Sequence, residues 1–280
     1  MIIFKTALEL TAYLDEKKNA GVQIGFVPTM GALHEGHLSL IEQSKDQNAL
    51  TVCSIFVNPT QFNNKEDFTH YPVSIEKDLE QLVKAGCDVL FLPAVKEIYP
   101  ENYKPQHYNL GNLESILEGY YRPGHFQGVC QVVDILLSIV NPDNIYIGQK
   151  DYQQCMVITR LVDLMGKKDQ IHIHIAPTVR ESDGLAMSSR NRRLSQSQRA
   201  KALTIYKELT AIKASLNSQP LDQLKKESAK HLEDAGFSVD YVEIANAETL
   251  EPATGTGGHL VALIAASLDN VRLIDNLSLN

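Results

Sequence analysis

Short apolar runs alternating with helical patterns set the rhythm of the first two-thirds of this chain and narrow its folds to a small set. Val22–Val27, Leu50–Val57, Asp88–Leu92, Asn144–Ile147 and Ile171–Ala176 read as strands. Leu38 to about Asn48, Ser74–Ala85, Val129–Val140 and Tyr152–Met165 read as helices, closed by Gly86, by Asn141-Pro142 and by Gly166 where such a stop is present. Strand and helix in turn argue for a parallel sheet covered by helices on both faces. Leu50–Val57 shows no polar alternation, as a strand buried on both faces requires.

After Pro177 the texture changes. Ser195 to Leu216 reads as a long helix capped by Ser195 or Ser197, and Leu221–Ala235 as a second, ended by Gly236. Ser238–Ala245, His259–Ser267 and Val271–Leu277 read as strands, the last two turning through Asp269-Asn270. The expected division is a larger α/β domain over residues 1–176 and a smaller α+β domain over 177–280.

Four polar loops follow four of the strands: Pro28–His37, Asn58–Phe62, Gly148–Asp151 and Thr178–Asn191. In an open parallel sheet all strand C-termini share one edge, where ligands bind. The loops carry His34, His37, Lys150, Ser188, Ser189 and Arg190 as donors, with Gly31, Gly36 and Gly148 allowing close backbone approach. That set suits a polyphosphate. Taken singly, each loop has an ordinary explanation: a Gly-punctuated surface turn, a solvated lysine, a Ser-rich linker. The chain lacks GxxxxGK[ST] and GxGxxG, which removes a P-loop and a dinucleotide redox site. Nucleotidyl transfer remains the leading chemistry.

The totals agree. A formal net charge of -8 argues against nucleic acid and anionic membrane as partners. The sequence has no apolar window long enough to span a bilayer and no secretory leader, so a cytoplasmic protein is expected. Cys53, Cys87, Cys130 and Cys155 are widely spaced, without CxxC or zinc spacing, and read as small core residues of a reducing compartment. His172 and His174 share a strand face with no third ligand near in sequence, so a metal there is not expected. His125 reads as a loop-fixing or interface residue.

The matching stretches are Val27–His37 (with its HxGH element), Ser54–Phe62, Tyr71-Pro72, Glu118-Gly119, Arg122–Phe126, Gly148–Gln154 and Pro177–Asn191. Together they resemble the pantoate–β-alanine ligase family of the HxGH nucleotidyltransferase superfamily. That resemblance implies a Rossmann-like fold and a two-step reaction. ATP and pantoate give pantoyl adenylate and pyrophosphate; β-alanine then gives pantothenate and AMP. It implies that Met30, Gly31, Ala32, Leu33, His34, Glu35, Gly36 and His37 line the ATP site, with His34, His37 and Lys150 catalytic. Gly148, Gln149, Lys150, Asp151 and Val179 would also contact ATP, and Met187, Ser188, Ser189 and Arg190 would form its mobile-loop counterpart. Gln61 would bind pantoate and β-alanine, Gln154 pantoate, and Asn58 would hold the pantoate pocket. Mg²⁺ is implied as cofactor with its ligands unassigned; Asp78 is one position linked to it, a solvated helix face being the other reading. A homodimer and a C-terminal lid are implied as well. The chain departs from the family pattern at Val73, where arginine usually follows Tyr-Pro. Two other readings are another HxGH nucleotidyltransferase and a non-catalytic ATP sensor.

Overall fold

A computed structural model describes residues 1–63 and 65–280, apart from the side chain of Lys65. Two compact units emerge: Met1–Gln149 with Gln153–Pro177, and Lys150–Tyr152 with Thr178–Asn280. The sequence division keeps Lys150 with the first domain. In the structure its backbone carbonyl accepts from Asn276 Nδ2 at 2.9 Å, and Tyr152 donates to the Ala247 carbonyl at 2.7 Å, which ties this short turn to the second unit.

The first unit is built on a six-stranded, wholly parallel sheet: β1 (Ile2–Phe4), β2 (Ile24–Thr29), β3 (Leu50–Ile55), β4 (Val89–Phe91), β5 (Asn144–Gly148) and β6 (His172–Ala176). Their order is β1-β4-β3-β2-β5-β6. The helices are α1 (Ala7–Asn19), α2 (Glu35–Gln47), α3 (Lys65–Thr69), α4 (Ile75–Lys84), α5 (Val95–Ile98), α6 (Leu117–Tyr121), α7 (His125–Val140) and α8 (Tyr152–Leu164). Alternate strand residues face two cores. Phe26, Val52, Val89 and Ile145 pack with α1, α7 and α8. Val27, Cys53, Leu90 and Tyr146 pack with α2 and α4. Near-continuous apolar strands are what a doubly covered parallel sheet needs. The cysteines Cys53, Cys87, Cys130 and Cys155 are buried and unpaired. Burial pushes the Cys87 thiol up to about 11.

From β2 the chain builds outward through β3 and β4, then returns to the other side of β2 for β5 and β6. The reversal lies between β2 and β5. In open α/β sheets the crevice beyond the strand C-termini at this switch point is where ligands bind.

In the second unit, α9 (Gln196–Ser215) and α10 (Leu221–Asp234) pack on an antiparallel sheet of β7 (Ser238–Asn246), β8 (Leu260–Leu268) and β9 (Val271–Ser278). Ser195 is the α9 cap, its hydroxyl accepting from Gln198 N while Gln198 Oε1 accepts from Ser195 N. Asp269, at φ 51°, turns β8 into β9.

Two early elements escaped the sequence reading, β1 and α1. Both had a signal: Thr6 and Glu9 stand at capping spacing, joined by a 2.6 Å hydrogen bond, and Leu10 and Leu14 are buried at i,i+4.

Candidate active site

The loop after β2 is fixed before it reaches its histidines. Thr29 donates its hydroxyl to the Ser54 carbonyl at 2.7 Å and accepts the Gly31 N–H at 3.2 Å. Gly31 (φ 80°) and Ala32 (φ 49°) then turn the chain through left-handed conformations. Asp78, buried at the start of α4, accepts the N–H groups of Ala32 and Leu33 at 2.8 and 2.9 Å. The metal-linked reading of Asp78 therefore gives way: its carboxylate faces the protein's own backbone.

Helix α2 begins at Glu35, three residues before the expected Leu38, with His34 as its N-cap. Gly36 disguises that start, because glycine is a poor helix former. Both histidines thus belong to the helix end, not to a free loop. Their ring centroids are 4.0 Å apart, and His34 N–H donates to His37 Nδ1 at 3.4 Å. A neutral His37 accepting at Nδ1 keeps its proton on Nε2 as a donor. The first-turn N–H groups and the positive end of the α2 dipole lie at the same terminus, an arrangement that binds anions. Gly148 ends β5, the other strand of the switch point, and Gln149 opens the 3₁₀ turn that follows.

The loop after β3 forms a 3₁₀ turn over Pro59–Gln61. Asn58 is buried, and its amide is fully engaged. Nδ2 donates to Gln61 Oε1 (2.9 Å) and to the Gly128 carbonyl (3.1 Å); Oδ1 accepts from Tyr99 (2.8 Å) and Thr60 (3.0 Å). Asn58 holds Gln61 from behind, its side-chain amide being given to the protein itself. Burial pushes the Tyr99 phenol up to about 12, so it stays a donor. Gln61 Nε2 reaches Met30 Sδ at 3.3 Å, linking this turn to the loop after β2. His125, 4 % exposed, bonds through Nδ1 to the Gln61 carbonyl at 2.8 Å, which fits the loop-fixing reading.

Of the neighbouring glutamines on α8, Gln153 is structural: it accepts from Glu118 N and donates to the Leu113 and Ile116 carbonyls. Gln154 is half-buried.

In the second unit, Lys150 Nζ stands 3.6 Å from Asp151. The Thr178–Asn191 segment folds back on itself, with Met187 N–H donating to the Val179 carbonyl and Arg180 bridging to Ala186. Ser188 caps the 3₁₀ turn Ser189–Arg193 by accepting Arg190 N–H at 3.2 Å. Beneath it Arg180 grips Asp275 with two bonds, 2.7 and 3.0 Å, and lies over the Tyr206 ring at 4.2 Å. Burial pushes the Asp275 carboxyl up, with the Arg180 guanidinium, the Asn276 N–H and Lys150 pulling against it.

The family model described as Pantoate-beta-alanine ligase matches residues 2–278. The chain belongs to the pantoate–β-alanine ligase family. A pantothenate synthetase of Cytophaga hutchinsonii is 45% identical over 99% of both chains. One of Pseudomonas fluorescens is 46% identical over 99% of this chain and 97% of its own. The crystal structure of pantothenate synthetase from Thermus thermophilus is similar, with a TM-score of 0.93 and 40% identity over 100% of this chain and 99% of that one. A pantoate-beta-alanine ligase from Francisella tularensis, complexed with beta-gamma ATP and beta-alanine, matches with a TM-score of 0.84 and 37% identity over 99% and 97%.

Membership in the pantoate–β-alanine ligase family accounts for the motifs in these loops. It does not by itself disclose what holds them. Asp78, Tyr99, Gly128, Arg180 and Asp275 went unread as supports, because each acts on residues far away in sequence. Gly128 alone left a signal: a glycine inside an apolar helix usually has a packing reason. Val73, in place of the usual arginine, is 68% exposed. His174 stacks on Tyr146 at 4.6 Å and bonds Asn144 Oδ1 at 2.8 Å. Among the described residues no group of three or more His, Cys, Asp or Glu could hold a metal ion.

Proposed function

We propose that this chain ligates pantoate to β-alanine in two ATP-driven steps at the C-terminal edge of the parallel sheet. The observation that carries the reading is the HxGH turn, His34-Glu35-Gly36-His37, mounted on the α2 N-terminus at the switch point of a chain that matches the ligase family from end to end. In the first step a pantoate carboxylate oxygen attacks the α-phosphorus of ATP, and the bond to the departing pyrophosphate breaks. In the second, the β-alanine amine attacks the acyl carbon, loses a proton and displaces AMP.

The nucleophile of the first step is already ionised, so a strong base is not needed. The barrier is electrostatic, an anion approaching a polyanion. Donors fixed before the reaction lower it most. His37 Nε2, His34 and the first-turn N–H groups of α2 supply such donors to the phosphates. Ala32 and Leu33 contribute shape to the ATP site, their N–H groups being given to Asp78. Gln61 suits pantoate because its amide can donate and accept toward hydroxyl and carboxylate; Asn58 fixes its orientation. Gln154 toward pantoate, and Gly148, Gln149, Lys150, Asp151, Val179 and Met187–Arg190 toward ATP, rest on the family motifs.

Mg²⁺ has no fitting protein cage here, since Asp78 is committed to backbone N–H groups and the described residues hold no acidic cluster. Magnesium binds readily through substrate phosphates, so we assign the ion to the nucleotide it accompanies. A homodimer in the cytoplasm completes the proposal, checked by light scattering and fractionation.

The deciding experiment is a mass measurement of products from ATP, pantoate and β-alanine, each omitted in turn. Pantothenate must need all three. Pyrophosphate exchange into ATP must need pantoate; exchange that ignores pantoate points to a different nucleotidyltransferase, and ATP binding without turnover to a sensor.

A further inference from the structure

Asp78 is a carboxylate with no exposed surface, and both its oxygens are committed. Oδ2 accepts from Ala32 N–H; Oδ1 accepts from Leu33 N–H and, at 3.0 Å, from the Ser74 hydroxyl. Ser74 is the N-cap of α4, so the charge sits at the positive end of that helix. The segment it holds is the one that needs holding. Gly31 and Ala32 are consecutive left-handed residues, a conformation alanine adopts only where its surroundings impose it. Contact is tight: a Cβ on Gly31 would stand 3.0 Å from Asp78 Oδ2 and from Ile55 Cγ2. Two residues further on, His34 enters α2 as its cap.

We infer that Asp78 is a positioning residue for adenylate formation, clamping residues 31–33 so that His34 and His37 meet the phosphates in one fixed orientation. The inference rests on the ligase reading above. Three donors converge on this side chain, so it must be an acceptor throughout. Asparagine has the same shape but would turn an NH₂ group toward at least one of those donors. Asp78 touches no reacting atom; it acts through the loop.

The test compares Asp78→Asn and Ser74→Ala with the wild type in the two half-reactions. Pyrophosphate exchange reports adenylate formation. Transfer from added pantoyl adenylate to β-alanine reports the second step, from which the pyrophosphate group is absent. Displacing catalytic groups by about an ångström can cost roughly a hundred-fold. Asp78→Asn should lose exchange on that scale, mainly in kcat, and keep transfer close to wild type. Ser74→Ala should show the same split with a smaller loss. A purely structural role lowers both half-reactions together; that result, or full exchange by Asp78→Asn, overturns the inference. If Asp78→Asn does not fold, Ser74→Ala decides alone: a split supports the clamp and equal or absent losses overturn it. A wild type that makes no pantothenate sinks the ligase reading instead. The clamp is then read from amide hydrogen exchange at Ala32 and Leu33, which Asp78→Asn must accelerate; unchanged protection overturns it.

Discussion

Gly128 on α7 and Thr60 in the turn after β3 approach so closely that a Cβ on Gly128 would stand 2.4 Å from the Thr60 carbonyl oxygen. The same position would put it 2.8 Å from Gln61 Cα. The opposing atoms are backbone and cannot swing aside. Gly128→Ala should therefore push the Pro59–Gln61 turn off the helix, destabilising the protein by about 1–3 kcal/mol. Steady-state kinetics should show a raised KM for pantoate, because Gln61 moves with the turn. An unchanged KM would show that Gln61 does not face pantoate.

Asn58→Ala should damage both folding and function. It strips partners from the Gly128 carbonyl, the Tyr99 hydroxyl and Gln61. Leaving buried polar groups unsatisfied costs about 1–3 kcal/mol each, visible as a lower urea midpoint. Gln61→Ala, by contrast, removes only one acceptor from Asn58 Nδ2, so it should cost less stability than Asn58→Ala and raise the pantoate KM.

His37→Ala should cut pantoate-dependent pyrophosphate exchange by about a hundred- to a thousand-fold, the usual cost of one well-placed transition-state donor. The melting temperature should shift little, since the ring sits in the first turn of α2 and is only partly buried. Losses of activity and folded fraction in equal measure would assign the ring to the fold alone.

Asp275→Ala should be the most destabilising of these changes. It leaves the Arg180 guanidinium largely buried without its two-pronged partner. Breaking a buried pair from one side costs about 3–5 kcal/mol. Replacing both partners with apolar residues of similar volume should recover most of that, as denaturant titration of the two variants can show.

His174 predicts part of the acid sensitivity. Burial, and secondarily the like charge of His172, hold its pKa below the ordinary value. The unfolded chain then binds the proton more tightly than the native one. The contribution to stability is complete above about pH 6.5, the unfolded value, and is lost as pH falls through the lower native value. His174→Gln should flatten the fall in melting temperature between about pH 7 and pH 5.

Much of this was legible in the chain. Strand and helix rhythm specified the parallel sheet, because apolar runs without alternation can only be buried on both sides. Gly86 and Gly166 marked helix ends, and Ser195 or Ser197 marked the start of α9, which the structure places at Ser195. The HxGH, Asn58–Phe62 and Gly148–Asp151 runs announced themselves because unusual polar residues follow directly on strands. The true start of α2 did not, since Gly36 hides a helix that His34 caps.

Local sequence thus determined most of the elements and which loops concentrate polar residues, for these depend on neighbours within a few residues. Only the tertiary structure decided what each polar group spends its hydrogen bonds on. Asp78 could have faced solvent, a metal or the Ala32–Leu33 backbone, and Asn58 a ligand or Gln61. Those choices depend on groups brought together from distant parts of the chain, where burial makes an unmatched donor or acceptor too costly to leave.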